Sequence, residues 1–285
     1  MIKDFDQKLA HLIEEAIRED VGTGDQSTLC CIPKDQVGKA VLKIKQDGIL
    51  AGVDVAQKIF CHLYPASEFV FFKKDGESMK IGEKAFEVKA TTPIILEAER
   101  LVLNCMQRMS GIATLTRRYV DLLDGYHTKV LDTRKTTPNF RLLEKEAVRI
   151  GGGTNHRFGL YDMIMLKDNH IDFCGGIAKA INKAHDYVIS NNMNIKIEVE
   201  TRSLEDVKTV LKEGQDKVFR IMLDNFMPAL VKEAVQMIDK QFETEASGGI
   251  NLQTVQSYAE SGVDYVSVGG LIHQAQSLDL SLKAI

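Results

Sequence analysis

Residues Leu131 to His170 read LDTRKTTPNFRLLEKEAVRIGGGTNHRFGLYDMIMLKDNH and set the rhythm of the second half of the chain. Lys129 to Thr133 reads as a strand, Phe140 to Ile150 as a helix and Met163 to Lys167 as the next strand. Among these elements stand Arg134, Lys135, His156, Arg157 and Lys167. A cluster of cations in a chain of formal charge -4 points to an anionic ligand.

The alternation continues toward the C-terminus. Strands are expected at Ile195 to Glu200, Val218 to Asp224, Phe242 to Ser247 and Tyr265 to Val268. Helices are expected at Ile177 to Asn191, Leu204 to Lys212, Pro228 to Lys240 and Leu252 to Ser261. Short apolar strands separated by helices imply a parallel sheet covered by those helices. An open doubly wound sheet and a barrel both satisfy that pattern. The dinucleotide-binding open sheet needs GxGxxG between a strand and a helix, whereas GGGTNHRFG follows a helix. A barrel gathers functional side chains at the C-terminal ends of several strands. There fall Arg134 and Lys135, Lys167 and Asp168, Glu198 and Glu200, Asp224, Glu245 and Ser247, and Ser267. About six strand-and-helix units can be counted, short of the eight of a full barrel. The expected fold is an incomplete α/β barrel.

The first part of the chain has another rhythm. Phe5, Leu9, Leu12, Ile13, Ala16 and Ile17 give an amphipathic helix over Ile2 to Arg18, ended by the turn-rich EDVGTGDQST. Lys39 to Lys45 reads as a strand, Gly48 to Gly52 as a turn and Val53 to Leu63 as a helix. Phe69 to Lys73 and Lys84 to Ala90 read as further strands, and elements that do not alternate strictly suggest an α+β unit with an antiparallel sheet. Pro93 opens a long helix to about Leu123 that bridges the two parts, with Gly111 as a break or a packing point. The domains are set at 1–112 and 113–274.

Bulk properties fit this division. A chain of 285 residues, 44% hydrophobic and 27% charged, is an ordinary globular protein with room for a barrel and a smaller companion. No apolar run approaches bilayer-spanning length, and MIKDFDQKLAHLIEEAIRED carries acids where a signal peptide has an apolar core, so a cytoplasmic location is expected. Cys30, Cys31, Cys61, Cys105 and Cys174 show no metal or redox spacing and are expected as buried thiols. The slight negative charge gives no general attraction to nucleic acid or anionic membranes.

Three kinds of group converge on the strand ends. Arginine matches a carboxylate or phosphate with two parallel hydrogen bonds and lysine supplies a compact charge, so Arg134, Lys135, Arg157 and Lys167, with His156 beside them, suit an anion. The alternative is pairing with Asp132, Glu144 or Asp162 on a solvated face. Glu200 and Asp224 end successive strands and could hold Mg²⁺ together with ligand phosphates, or serve as partners for the lysines. EASGGIN, Glu245 to Asn251, and SVGGLIH, Ser267 to His273, follow the last two strands and suit a phosphate cradle better than plain turns. Met163 and Met165 alternate in a strand and read as core, and His156 and His273 each have a structural reading beside the functional one. A Schiff-base lyase using Lys135 or Lys167 and a nonenzymatic nucleotide sensor stay open at this level.

These motifs, followed in order by EVE, IMLDN, EASGGI and SVGGLIH, resemble the quinolinate phosphoribosyltransferase family. The likeness extends to EDVGTGDQST and EAERLVLNCMQRMSGIAT and so covers nearly the whole chain. The resemblance implies an N-terminal α+β open sandwich, a barrel of about seven strands, and a tail, 275–285, that returns to the first domain. It implies phosphoribosyl transfer from phosphoribosyl pyrophosphate to quinolinate with decarboxylation, in the presence of Mg²⁺. Quinolinate ligands would be Arg134, His156, Arg157 and Lys167, with Arg100 delivered by the neighbouring subunit of a homodimer or larger oligomer. Lys135, Glu200, Asp224, Ser247, Gly248, Gly249, Gly269 and His273 would face the donor and metal, with Lys135, Glu200 and Asp224 as the catalytic groups. The chain departs from the family pattern at Asn139, where glycine is common, at Gly270, where alanine is common, and at Gln26 and Ser27.

Overall fold

The computed structural model describes Ile2 and Asp4–Ile285; Met1, and Lys3 within the predicted first helix, lie outside the described residues. In chain order the elements begin α1 (Phe5–Asp20), α2 (Gln26–Cys31), β1 (Val37–Ile44), β2 (Gly48–Ile49), α3 (Val53–Leu63), β3 (Glu68–Phe71), β4 (Ser78–Met79), β5 (Lys84–Thr91) and α4 (Thr92–Leu122). There follow β6 (Lys129–Leu131), α5 (Arg141–Ile150), β7 (Met163–Leu166), α6 (Asp168–Cys174), α7 (Ile177–Ser190), β8 (Lys196–Thr201) and α8 (Leu204–Glu213). The last are β9 (Arg220–Asp224), α9 (Pro228–Ile238), β10 (Glu243–Ser247), α10 (Val255–Ala259), β11 (Tyr265–Ser267), α11 (Gly270–His273) and β12 (Leu280–Ala284). Every strand and helix expected from sequence is present with its ends shifted by a few residues.

Two compact units divide the chain, one of Met1–Arg117, Thr136–Gly152 and Leu271–Ile285, the other of Arg118–Lys135 and Gly153–Gly270. The division crosses α4 at Arg117 and Arg118, and the 112/113 boundary drawn from sequence falls in the same helix. In the first unit an antiparallel sheet runs β12-β1-β5-β3. Leu42 of β1 faces Phe86 on one side and Leu282 on the other, and all three are buried, so the alternating apolar positions of three strands make one core face. The tail thus becomes an edge strand of this sheet.

Several short elements here and elsewhere escaped the sequence reading for local reasons. Within EDVGTGDQST, Asp25 accepts hydrogen bonds from the backbone N–H groups of Ser27 and Thr28 and starts α2. The Gly48 to Gly52 turn holds β2, which pairs with β4. α6 and α11 are brief helices directly after strands. Gly111 does not break α4: a Cβ there would run into the Gln276 carbonyl, so the glycine lets the returning chain pass close by. Of the expected buried thiols only Cys105 is fully buried, burial pushing its thiol up to about 12, while Cys30 and Cys31 are exposed.

In the second unit six parallel strands are ordered β6-β11-β10-β9-β8-β7. The first strand pairs with the last, and the second lies at the far edge. This is the cyclic order of a barrel cut between β6 and β7, and no doubly wound sheet has it. At the cut, Thr154 forms a single parallel bridge with Leu131; it donates to the Val130 carbonyl and accepts from Asp132 N–H. That bridge is the remnant of a seventh strand, and the barrel is incomplete.

An ion pair organises the first unit's returning segments. Glu144 on α5 is wholly buried and accepts from Arg108 Nε and Nη2 at 3.0 and 2.9 Å, from Thr137 N–H at 2.8 Å and from its hydroxyl at 3.0 Å. Arg108 also donates to the Ile272 and Ala275 carbonyls, so one side chain of α4 joins α5 to the last segment of the chain. Removing the acid strands the guanidinium and two donors. Glu144→Ala is expected to cost about 3–5 kcal/mol, seen as a lower urea midpoint at unchanged m-value.

Candidate functional site

The C-terminal ends of the barrel strands surround a cavity of about 290 Å³, near the low end of small-molecule sites. Thr133, Arg134 and Lys135 enter it after β6, His156 and Arg157 after the Thr154 bridge, and Met165 and Lys167 from β7. Met222, Glu245, Ser247 and Ser267 complete the wall from β9, β10 and β11. Side chains two apart on a strand share a face, which brings Glu245 and Ser247 together and makes Met165 a cavity wall as well as core.

Cations dominate this lining: Arg134, Lys135, Arg157 and Lys167 stand against the single carboxylate of Glu245. Burial first, and then the neighbouring Arg134 charge, pull Arg157 below the usual guanidinium range. An anion placed between the two arginines would relieve that penalty. Arg157 Nη1 donates to the Met163 carbonyl at 3.1 Å, which fixes the side chain from below. Lys167 Nζ lies 3.7 Å from Glu200 Oε2. Of the acids suggested as partners, Glu144 holds Arg108, Asp162 accepts from Phe158 and Gly159 N–H and its charge also acts on Arg157, and buried Asp132 accepts from His156 N–H and Asn155 Nδ2.

Eight of the residues singled out from sequence therefore line one cavity: Arg134, Lys135, His156, Arg157, Lys167 and Ser247 among the expected ligands, with Glu245 and Ser267 from the strand ends. Glu200, Asp224, Gly248, Gly249 and Gly269 belong to the same unit but are not among its lining residues. Glu200 Oε1 accepts Asp168 N–H at 3.2 Å and Asp224 Oδ2 accepts Asn225 Nδ2 at 2.6 Å. Gly248 has φ 102°, and a Cβ there would collide with the Asn225 side chain, so only glycine fits. Arg100 on α4 and His273 at the end of α11 are exposed residues of the other unit.

Beneath the cavity sits a group of charges that the sequence reading did not assemble. His156 Nε2 lies 3.1 Å from Glu198 and 3.2 Å from Glu245, both wholly buried. Arg220 Nη1 is 3.0 Å from Glu245 and 3.9 Å from Glu198, and its guanidinium covers the Tyr265 ring at 4.2 Å. Burial, and next the Glu245 charge, push Glu198 up to about 7. Burial would also raise Glu245, but His156 and Arg220 outweigh it and hold its carboxyl below the usual range. Burial would lower His156 and the two carboxylates raise it, but the Arg157 N–H points at Nδ1 from 2.7 Å, so that nitrogen keeps its lone pair and the ring proton lies on Nε2, facing the acids. Among the described residues His156, Glu198 and Glu245 are also the one trio of such groups close enough to hold a metal ion, but Arg220 already supplies the cation there. The available signal was an arginine opening the apolar strand RIMLD with acids on both flanking strands.

The arrangement can bind a compact, multiply anionic molecule through directional donors. Comparison with known proteins agrees. The family model "Quinolinate phosphoribosyl transferase, N-terminal domain" matches residues 25–110, and its C-terminal counterpart matches 112–283. The chain is 44% identical to the chloroplastic nicotinate-nucleotide pyrophosphorylase [carboxylating] of Arabidopsis thaliana, over 96% of this chain and 82% of that protein. It is 42% identical to the probable nicotinate-nucleotide pyrophosphorylase [carboxylating] of Bacillus subtilis, over 96% and 93%. The crystal structure of NadC from Streptococcus pyogenes superposes with a TM-score of 0.88 at 40% identity, covering 96% of this chain and 95% of that one. With both halves matched and so much of each chain covered, this protein belongs to the quinolinate phosphoribosyltransferase family.

Proposed function

We infer that this chain transfers the phosphoribosyl group of phosphoribosyl pyrophosphate to quinolinate and releases pyrophosphate, CO₂ and nicotinate mononucleotide, a step of NAD biosynthesis. The observation that carries this reading is the small cavity with four permanent cations and one carboxylate. Quinolinate is a small ring with two adjacent carboxylates, and the paired Arg134 and Arg157 supply the charge and the fork geometry to hold one of them. Lys167 stands on the same wall.

The chemistry follows from charge. As the pyridine nitrogen bonds to the sugar's anomeric carbon and the bond to pyrophosphate breaks, positive charge grows on the sugar and negative charge on the leaving group. Glu200 and Asp224, ending the adjacent strands β8 and β9, are the carboxylates available to the first, and Lys135 to the second. Ribosylation leaves the ring nitrogen cationic. The adjacent carboxylate then departs as CO₂, the bonding pair stays on the ring carbon beside that cation, and a proton replaces it. Ser247, Gly248 and Gly249 after β10, and Gly269 after β11, are assigned to the donor's phosphates.

Glu200 and Asp224 are hard oxygen donors on neighbouring strands, one nearly buried and one partly exposed, and this set suits Mg²⁺ shared with ligand phosphates. Bound there, Mg²⁺ would neutralise the departing pyrophosphate. Arg100 is exposed on α4, as expected of a residue lent to a second copy, which supports a homodimer with shared sites. Among the described residues no helix is long and apolar enough to cross a membrane, and the thiols are free, which supports a cytoplasmic setting.

Incubation with quinolinate, phosphoribosyl pyrophosphate and Mg²⁺ is expected to yield CO₂ and nicotinate mononucleotide; a folded, donor-binding protein that forms neither product would overturn the assignment. Arg157→Ala is expected to raise the quinolinate KM about 100-fold, the loss of a buried charge-assisted contact, and to leave the donor KM within about two-fold. Chelation is expected to stop turnover, and Glu200→Gln to shift the Mg²⁺ concentration for half-maximal rate upward by about ten-fold. Mixing Arg100→Ala with Arg157→Ala, each inactive at low quinolinate, is expected to restore turnover, because exchange of subunits rebuilds one intact site per mixed dimer.

A further inference from the structure

The charge group beneath the cavity is larger than carboxylate binding needs. Both faces of the His156 ring edge are engaged within the protein: Nε2 toward Glu198 and Glu245, and Nδ1 as acceptor of Arg157 N–H at 2.7 Å. The same ring thus touches the buried acids at one edge and the backbone of a cavity arginine at the other. Asp132 holds the His156 backbone N–H at 2.8 Å, which leaves the ring plane to be set by the acids. Arg220 fixes Glu245 in turn at 3.0 Å and lies 3.9 Å from Glu198, while Glu243 at 2.8 Å and the Tyr265 ring hold the guanidinium itself. The register explains the assembly. Arg220 on β9 stands opposite Glu198 on β8 and Glu243 on β10, and Glu245 lies two positions farther along the same face of β10.

We propose that Glu198, Glu245 and Arg220 are positioning residues that fix the His156 ring and, through its Nδ1, the backbone of Arg157, so that the Arg157 guanidinium is held in place for a substrate carboxylate. Arg157 is anchored twice by this account, by His156 at its N–H and by the Met163 carbonyl at its guanidinium. Loss of the first anchor leaves the charge in the cavity but frees its direction, and a two-bond fork is sensitive to direction. His156 accordingly aims Arg157 from its own place in the cavity wall.

Simple electrostatics gives a test with opposite signs. Glu245 lines the cavity. If it acted on the ligand directly, Glu245→Gln would delete a negative charge beside a dianion and tighten quinolinate binding. Acting through His156, the same change loosens Arg157 and weakens binding.

The inference rests on the reading that this wall binds quinolinate, and turnover of the unaltered protein tests that reading separately. In the unaltered background Glu245→Gln and Glu198→Gln are each expected to raise the quinolinate KM about ten-fold, a coupling typical of residues in one network, with the donor KM within about two-fold. In the Arg157→Ala background the same changes are expected to shift the quinolinate KM by less than about two-fold. A lower quinolinate KM, an equal rise in both KM values, or the same factor in both backgrounds would overturn the proposal. Near-ultraviolet circular dichroism checks the fold, and Arg220→Lys, which keeps the charge and loses the fork, is expected to give a smaller rise of the same kind. Failure of all three variants to fold would leave these residues a purely structural role and also overturn it.

Discussion

Burying Glu198 and Glu245 at the centre of the barrel is the costliest thing this sequence does, and the neighbouring structure answers that cost. An ionised carboxylate loses several kcal/mol of hydration when it leaves water, unless opposite charges and donors replace the solvent. Here Arg220 supplies the charge, 3.0 Å from Glu245 and 3.9 Å from Glu198, and His156 Nε2 lies within 3.2 Å of both. The requirement fixes Arg220 at the start of β9, keeps an acid at the same level on β8 and β10, and brings the Thr154 bridge segment close enough for His156 to reach inward. The floor of the cavity is therefore nearly balanced in charge. Its rim is not, and the imbalance there is what an anionic ligand meets.

Periodicity made the fold legible because a barrel repeats one pattern. Each strand is a short apolar run followed by a helix, and the polar residues at strand ends separate a barrel from an open sheet. What failed were elements too short to have a period. α2 depends on the single side chain of Asp25. β12 depends on partners in β1 that are far away in sequence. Asn139, one of the departures from the family pattern, has φ 62°. Asparagine is among the few non-glycine residues that accept that conformation, so the glycine common there can be replaced without a new backbone path.

The site was legible in a different way. Arg134, Arg157 and Lys167 could be picked out because permanent cations at strand ends have few other reasons to be there. His156 could not be assigned a direction, since a histidine's role lies in what its two nitrogens touch. Arg220 was invisible because it opens a strand rather than ends one, and only the register shows that acids flank it on both sides. Residue type reveals a ligand's charge. Register reveals which residues aim the ligand's partners.

Lys167 joins the two walls of the site. Its ammonium is half exposed and 3.7 Å from Glu200, a geometry worth at most about 1 kcal/mol. Asp168 N–H holds the other oxygen of the same carboxylate, so Glu200 stays in place whether or not the lysine remains. A fixed acid with a loosely held cation is an arrangement that gives way easily: a ligand carboxylate offers Lys167 a shorter, charge-assisted bond, and positive charge arriving on the donor side offers Glu200 a better partner. Each event removes a competitor of the other. On the proposed assignment, this one long ion pair is weak enough for a pocket for a dicarboxylate and a pocket for a phosphorylated sugar to share a boundary without either having to break a strong contact first.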